Sequence, residues 1–461
     1  MTGFDTIKFV VDKTEDGISS ASIGVFCGAA KLQLKSFSDF GNGIYGVTVG
    51  EKFDISKAYT LKADGYGEKT IVPTGIFDTA EFAEMYHYDG NDLGAVISGD
   101  RTVFKLWAPT ASKVVVNFFF KGEGGSAYKS VNASPTDKGV WTYAERCGHG
   151  TYYTYTVTTA CGTQELVDPY AKAVGVNGDR GMVVDLGITD PRGWKKESFV
   201  KNIKTYSDAV IWEVHVRDFS IGIRSSKYRG KYLAFTERGL TNESGVAVGV
   251  DHLVSLGVTH VHLNPVYDFA TVDEKDPSSG YNWGYDPKNY NAPEGSYSTD
   301  PFSGAVRVTE LKTAVAALHK AGIGVVIDVV YNHTYESNSF LNKAVPYYYY
   351  RFDERGNFTN GSGCGNETAS ERYMFRKFIL DSVTYWLTEY KLDGVRFDLM
   401  GLHDLKTMER IEKAVHKINP YALIYGEGWT GGPSALEDGM RASLSNVYKL
   451  PASFGASGAV A

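Results

Sequence analysis

Cysteine is scarce: Cys27, Cys147, Cys161 and Cys364 are the only four in 461 residues. They are too few and too scattered for a disulfide framework, and none forms a Cys-x-x-Cys pair, which excludes a thiolate zinc site. They are read as core or surface thiols. Runs of five or six basic residues are also missing, and 47 basic against 54 acidic side chains leave a net charge of -7. That balance argues against a nucleic-acid or anionic-membrane surface and makes polyanions poor ligands. No stretch reaches about 18 apolar residues. The N-terminus carries Asp5 and Lys8 where a secretory signal needs an unbroken apolar run. The sequence therefore reads as cytoplasmic, or as secreted if a leader has been removed.

What is present is a globular composition, 43% hydrophobic, with a length that suggests roughly three domains at about 150 residues each. Aromatic residues are plentiful, with 31 Tyr, 24 Phe and 7 Trp. Rings with a polar handle suit sugar recognition, since a flat apolar face stacks on a pyranose while hydroxyls bond at the edge. The same rings equally suit a β-sandwich core.

Residues 1–90 alternate apolar and polar side chains over short stretches, as in Ile7-Lys8-Phe9-Val10, between Asp-Gly and Gly-Asn-Gly turns. A small β-sandwich is expected. Residues 91–190 form a second β-rich block, anchored on Thr102–Pro109, Lys113–Phe118, Gly139–Trp141 and Thr151–Tyr155. From 191 to 461 the pattern becomes strand, loop, helix. Apolar runs at Ala209–Val214, Val258–Leu263, Gly324–Val329, Gly394–Phe397 and Ala422–Tyr425 suit buried parallel strands. Helical spacing joins Leu311, Ala314, Val315 and Leu318, and again Phe375, Phe378, Ile379, Val383, Trp386, Leu387 and Tyr390. Such βα repeats specify a (β/α)8 barrel or an open doubly wound sheet.

In either architecture the chemistry collects at the carboxyl ends of the strands. There the sequence places Asp328–His333, Arg396-Phe397-Asp398 and Gly426-Glu427-Gly428-Trp429. Asp398 and Glu427 close consecutive strand runs and are expected to be neighbours. Two carboxylates sharing a site repel, so one holds its proton and the other stays ionised, the asymmetry that glycoside hydrolysis requires. Arg396 shares a strand face with Asp398 and is expected to keep it charged. Asp328 can pair with Arg396, and His333 is placed to donate to a sugar hydroxyl. The residues alone leave open a structural ion-pair network and a metal-assisted or enolising barrel enzyme.

Asp328-Val-Val-Tyr-Asn-His333, Gly394-Val-Arg-Phe-Asp398 and Gly426-Glu-Gly-Trp429 resemble three conserved regions of the α-amylase superfamily. Tyr281-Asn-Trp-Gly-Tyr-Asp-Pro287 resembles the signature of its type I pullulanase branch, which cleaves α-1,6 branch linkages. The likeness runs from about residue 75 to 450, and the block around Phe104–Phe118 is similar to the starch-binding sandwich that precedes debranching barrels. The resemblance implies that Asp398 is the nucleophile, Glu427 the general acid/base and Arg396 the support of the nucleophile. It implies substrate binding by Tyr285, beneath the reacting glucose, with His333, Asp328, Trp283, Asp286 and Trp429. For Trp283, Tyr281 and Trp429 the alternative is a core position under the rim. It implies an α-glucan partner, neither nucleic acid nor membrane, and no required cofactor. Calcium is left open at Asn332, where some relatives bind it and where a turn-forming Asn is the alternative.

The family's fourth region, a His-Asp pair on a later strand, has no counterpart among the 34 residues after Glu427. Three more βα units would need on the order of 90 residues. The expectation is N-terminal β-sandwiches followed by an incomplete barrel of about five βα units out of eight, either a retaining α-1,6 debranching hydrolase, another debranching or branching member of the superfamily such as an isoamylase, or a truncated non-catalytic α-glucan-binding protein.

Overall fold

The computed structural model describes residues 1–12 and 18–451. The Asp16-Gly17 turn and the tail from 452 lie outside the described residues. Three regions follow one another along the chain and share a continuous apolar core.

The first region is the small sandwich expected for residues 1–90. Thr6–Val10, Ile44–Val49 and Leu34–Asp39 form one antiparallel sheet. The second sheet runs Ala30–Lys31, Ile23–Cys27, Tyr59–Ala63, Gly67–Thr70. Alternation puts Ile7, Val25, Val47 and Leu61 inside. In the next sandwich the sheet holding Ala111–Phe119 and Tyr152–Thr159 faces the sheet holding Arg101–Trp107 and Val140–Glu145. The Phe104 ring fills the space between them, meeting Tyr153 edge-on at 4.9 Å and Phe118 at 5.3 Å. These buried rings are structural, so the aromatic content divides between core and surface.

The third region is a parallel sheet of five strands in sequence order: β1 (Ile211–Val214), β2 (His260–Leu263), β3 (Gly324–Val329), β4 (Gly394–Phe397) and β5 (Leu423–Gly426). Crossover helices are α1 (Val250–Leu256), α2 (Gly304–Lys320), α3 (Tyr373–Tyr390) and α4 (Leu405–Ile418). Every residue of β3 is buried, as an interior parallel strand requires. One element escaped the sequence reading: Tyr267–Phe269 pairs antiparallel with Pro287–Pro293. The connection between these two strands carries Tyr281–Asp286 and so presents that motif near the ends of β2 and β3.

Two buried arginines tie the regions together. Arg372, at the start of α3, bonds Asp78 and Thr74 O from the first region. It also reaches the carbonyls of Tyr347, Tyr348 and Tyr350. Arg307 in α2 is wholly buried among Asp268, Glu274 and Glu294. It bonds Glu274 at 2.7 and 2.9 Å and Asp268 at 3.3 Å, while Glu274 also accepts from Asn177 N in the second region. The three carboxylates lie within 4.8 Å of one another, a donor set that would suit a metal ion. One guanidinium sits among these three carboxylates and bonds two of them.

His403, shortly after β4, is 1% exposed, and among the described residues neither ring nitrogen has a hydrogen-bond partner. Burial pushes it down to about 4 from 6.5. In the window between those values the unfolded chain binds the proton and the folded chain does not, so stability falls as pH drops from 6.5 toward 4. His403→Phe is expected to remove up to about 3 kcal/mol of that acid loss, read from urea midpoints at pH 7 and pH 4.5.

Candidate active site

The site is built at the carboxyl ends of β2 to β5. Asp328, Arg396 and Tyr425 are register partners on adjacent strands and therefore project from the same side of the sheet. Arg396 binds both oxygens of Asp328, at 2.9 and 2.8 Å, through Nη1. The same nitrogen meets Asp398 Oδ1 at 3.2 Å, and Nη2 meets Glu427 Oε1 at 2.5 Å. One guanidinium thus collects three carboxylates, and the two expected to react stand on neighbouring nitrogens of the fork.

Burial, followed by the charge of Asp328, pushes Asp398 up to about 7, against the opposing pull of Arg396. Asp328 is also buried, but His262 and Arg396 more than offset that and hold it below the usual carboxylate range. His262 Nε2 lies 3.4 Å from Asp328 Oδ2, without hydrogen-bond geometry. Asp328 and Asp398, on one arginine, titrate as a coupled pair. Arg396→Leu is expected to raise the Asp398 midpoint by at least about one unit above the native value, measured by 13C NMR of the carboxyl, with Arg396→Lys shifting it less.

Around this cluster stand neutral donors. Asn332 Nδ2 bonds both Asp398 Oδ2 and Asp398 O at 2.9 Å. Tyr285 donates to Asp328 Oδ2 at 2.8 Å and receives a bond from Asn264 Nδ2 at 3.2 Å. The Leu399 amide donates to Glu427 Oε2 at 3.1 Å. His333 is buried, with Nε2 2.9 Å from Tyr285 O and Nδ1 2.6 Å from Asn332 Oδ1. In this arrangement His333 braces Tyr285 and Asn332 instead of presenting a free donor to a sugar hydroxyl. Asn332 is neither a free ligand nor a simple turn residue, because its amide spans Asp398 and His333.

The structure thus brings Asp328, Arg396, Asp398, Glu427, Tyr285 and His333 together and leaves Asp286, Trp283, Tyr281 and Trp429 outside the cluster. Asp286 accepts from Thr271 N, Thr271 Oγ1 and Asn282 Nδ2, all within its own loop. Trp283, Tyr281 and Trp429 are 59%, 54% and 38% exposed, which excludes a core position for these rings. Trp283 donates to Tyr281 Oη at 2.9 Å, and Tyr281 donates in turn to Asp218. Asn264 and His262 were missed by the sequence reading. The string His262-Leu263-Asn264 after an apolar run was the signal available.

A carbohydrate-binding module 48 (isoamylase N-terminal domain) model matches residues 92–171, and an α-amylase catalytic domain model matches residues 236–371. Sequence and fold together make the chain similar to members of the α-amylase superfamily. Its relatives include pullulanases and an isoamylase. The chain is 42% identical over 399 residues to the pullulanase of Bacillus subtilis, covering 86% of this chain and 54% of that protein. The pullulanase structure from Bacillus acidopullulyticus superposes with a TM-score of 0.82 at 45% identity, covering 88% of this chain and 50% of that one. The pullulanase of an Anoxybacillus species, solved with maltotriose, gives 0.84 at 38% identity, covering 98% and 65%. The chain spans about half the length of the curated relatives it matches.

Proposed function

We propose that the chain carries the glucan-binding module and the nucleophile and acid/base of a retaining hydrolase of α-1,6-glucosidic branch linkages, acting on pullulan, limit dextrins or glycogen. The observation that carries this reading is the single guanidinium shared by Asp328, Asp398 and Glu427. It holds two potentially reacting carboxylates close to one another, the arrangement that a covalent double displacement uses.

In the first step the ionised Asp398 attacks the anomeric carbon, the bond to the O6 of the branch breaks, and Glu427 gives its proton to that oxygen. In the second, Glu427 takes a proton from water as the water attacks the same carbon and releases Asp398. The anomeric configuration is retained. Tyr285 lies under the reacting glucose, and the exposed Trp283 and Trp429 offer apolar faces to further sugar units. The proposed steps use side chains of the chain itself.

The five-stranded sheet we read as part of a (β/α)8 barrel. The sheet edge at β1 leaves Val210, Ile211 and Trp212 between 38% and 53% exposed, and β5 is the other edge among the described residues. Further strands would cover such edges.

Two measurements on the purified chain test the reading: co-sedimentation with insoluble starch, and release of maltotriose from pullulan. Binding with release is expected. Binding without release would support a glucan-binding role, and neither would overturn the proposal.

A further inference from the structure

Leu399, the residue after Asp398, has φ 40° and ψ 50°. A side chain with a Cβ rarely takes this left-handed conformation, and a leucine offers no local hydrogen bond in return. Such departures persist where the surroundings enforce them, and they gather at functional sites. Here the conformation aims the Leu399 amide at Glu427 Oε2, 3.1 Å away. Two residues on, Gly401 N donates to Glu427 O at 3.0 Å. A Cβ at Gly401 would lie 2.5 Å from Trp429 O, so only glycine allows the two segments to approach this closely. The turn that follows the nucleophile therefore grips the acid/base residue by its carboxylate and by its main chain.

Resting on the function proposed above, we infer that Leu399 is a positioning residue for proton transfer, its backbone amide orienting Glu427 through strain in the turn after Asp398. Oε1 of Glu427 is taken by Arg396 and Oε2 by this amide. The amide is the neutral partner, and it fixes the rotation of the carboxyl plane about the axis that Arg396 defines. Loss of this contact leaves Asp398 untouched, because its own amide bonds Val329 O at 3.0 Å and its side chain is held by Arg396 and Asn332. In the first step, which forms the covalent intermediate, the defect would appear only where a leaving oxygen must be protonated.

Two arms test this. In the first, hydrogen–deuterium exchange is followed at the Leu399 amide in the wild-type chain and in Glu427→Ala. Exchange about tenfold faster in the variant, with the Asp398 amide unchanged, is expected, and equal rates would overturn the inference. This arm requires no turnover. In the second, Leu399→Val, whose β-branch resists the left-handed region, is compared with Leu399→Asn, which tolerates it. Pullulan needs a proton on its leaving oxygen, whereas α-maltotriosyl fluoride releases fluoride without one. The valine variant should lose about tenfold on pullulan and less than twofold in the first-turnover burst of fluoride, which reports the first step alone, and the asparagine variant should resemble wild type on both. Equal losses on the two substrates would show a general folding defect and overturn the inference. Absence of wild-type turnover would count against the hydrolase reading alone, and the exchange arm would still decide the role of Leu399.

Discussion

Asp398→Asn is expected to lower pullulan hydrolysis by about 10³-fold or more, equivalent to roughly 4 kcal/mol of transition-state stabilisation. The amide matches the carboxylate in shape, and with its one acceptor oxygen turned to Arg396, Asn332 Nδ2 still has the main-chain oxygen of residue 398, so the fold is preserved. What disappears is the nucleophilic oxygen, and with it the covalent intermediate. Glu427→Gln should be as damaging on pullulan but milder on α-maltotriosyl fluoride, whose departure needs no acid. Rates on the two substrates, with circular dichroism to confirm folding, check both variants. Unchanged pullulan turnover in either one would remove these carboxylates from the mechanism.

Arg307→Leu should be the most destabilising substitution away from the strand ends. The guanidinium is fully buried among Asp268, Glu274 and Glu294, and it also bonds the carbonyls of Pro293 and Pro301. Removing one partner of a buried ionic cluster costs about 3–5 kcal/mol, because the remaining charges are stranded in a medium that solvates them poorly. Burial and Glu274 already push Glu294 up to about 8 and Asp268 well above its ordinary range. Both carboxyls bind protons more tightly folded than unfolded. Their contribution is therefore fully present below about pH 4 and fades as pH rises through 8. The variant should be least stable at high pH and partly rescued near pH 5, as read from urea midpoints across that range. A pH-independent loss would contradict the assignment.

Much of this site can be read from the chain because its charges interrupt apolar runs. Asp328, Arg396, Asp398 and Glu427 stand where a strand leaves the core, and a charge there is costly unless it has a partner. Arg307 was legible in principle: it precedes Leu311 by four residues and so shares the buried stripe of α2, yet an arginine in a helix is ordinarily assigned to the solvent side. The strand Pro287–Pro293 escaped because prolines mark both its ends and a long connection separates it from its partner. Leu399 could not be foreseen, since the sign of φ is not written in the identity of a leucine. The same holds for His333, whose two ring contacts depend on a carbonyl 48 positions away and on the rotamer of Asn332.

The clamp formed by Arg372 has a mechanical consequence. A single guanidinium grips the N-terminal sandwich through Asp78 and Thr74 and the barrel-like region through the carbonyls of Tyr347, Tyr348 and Tyr350, all at the first turn of α3. Neither half can swing away without uncovering that charge. The leading module therefore behaves as a rigid buttress, braced against the first turn of α3 instead of hanging on a loose tether.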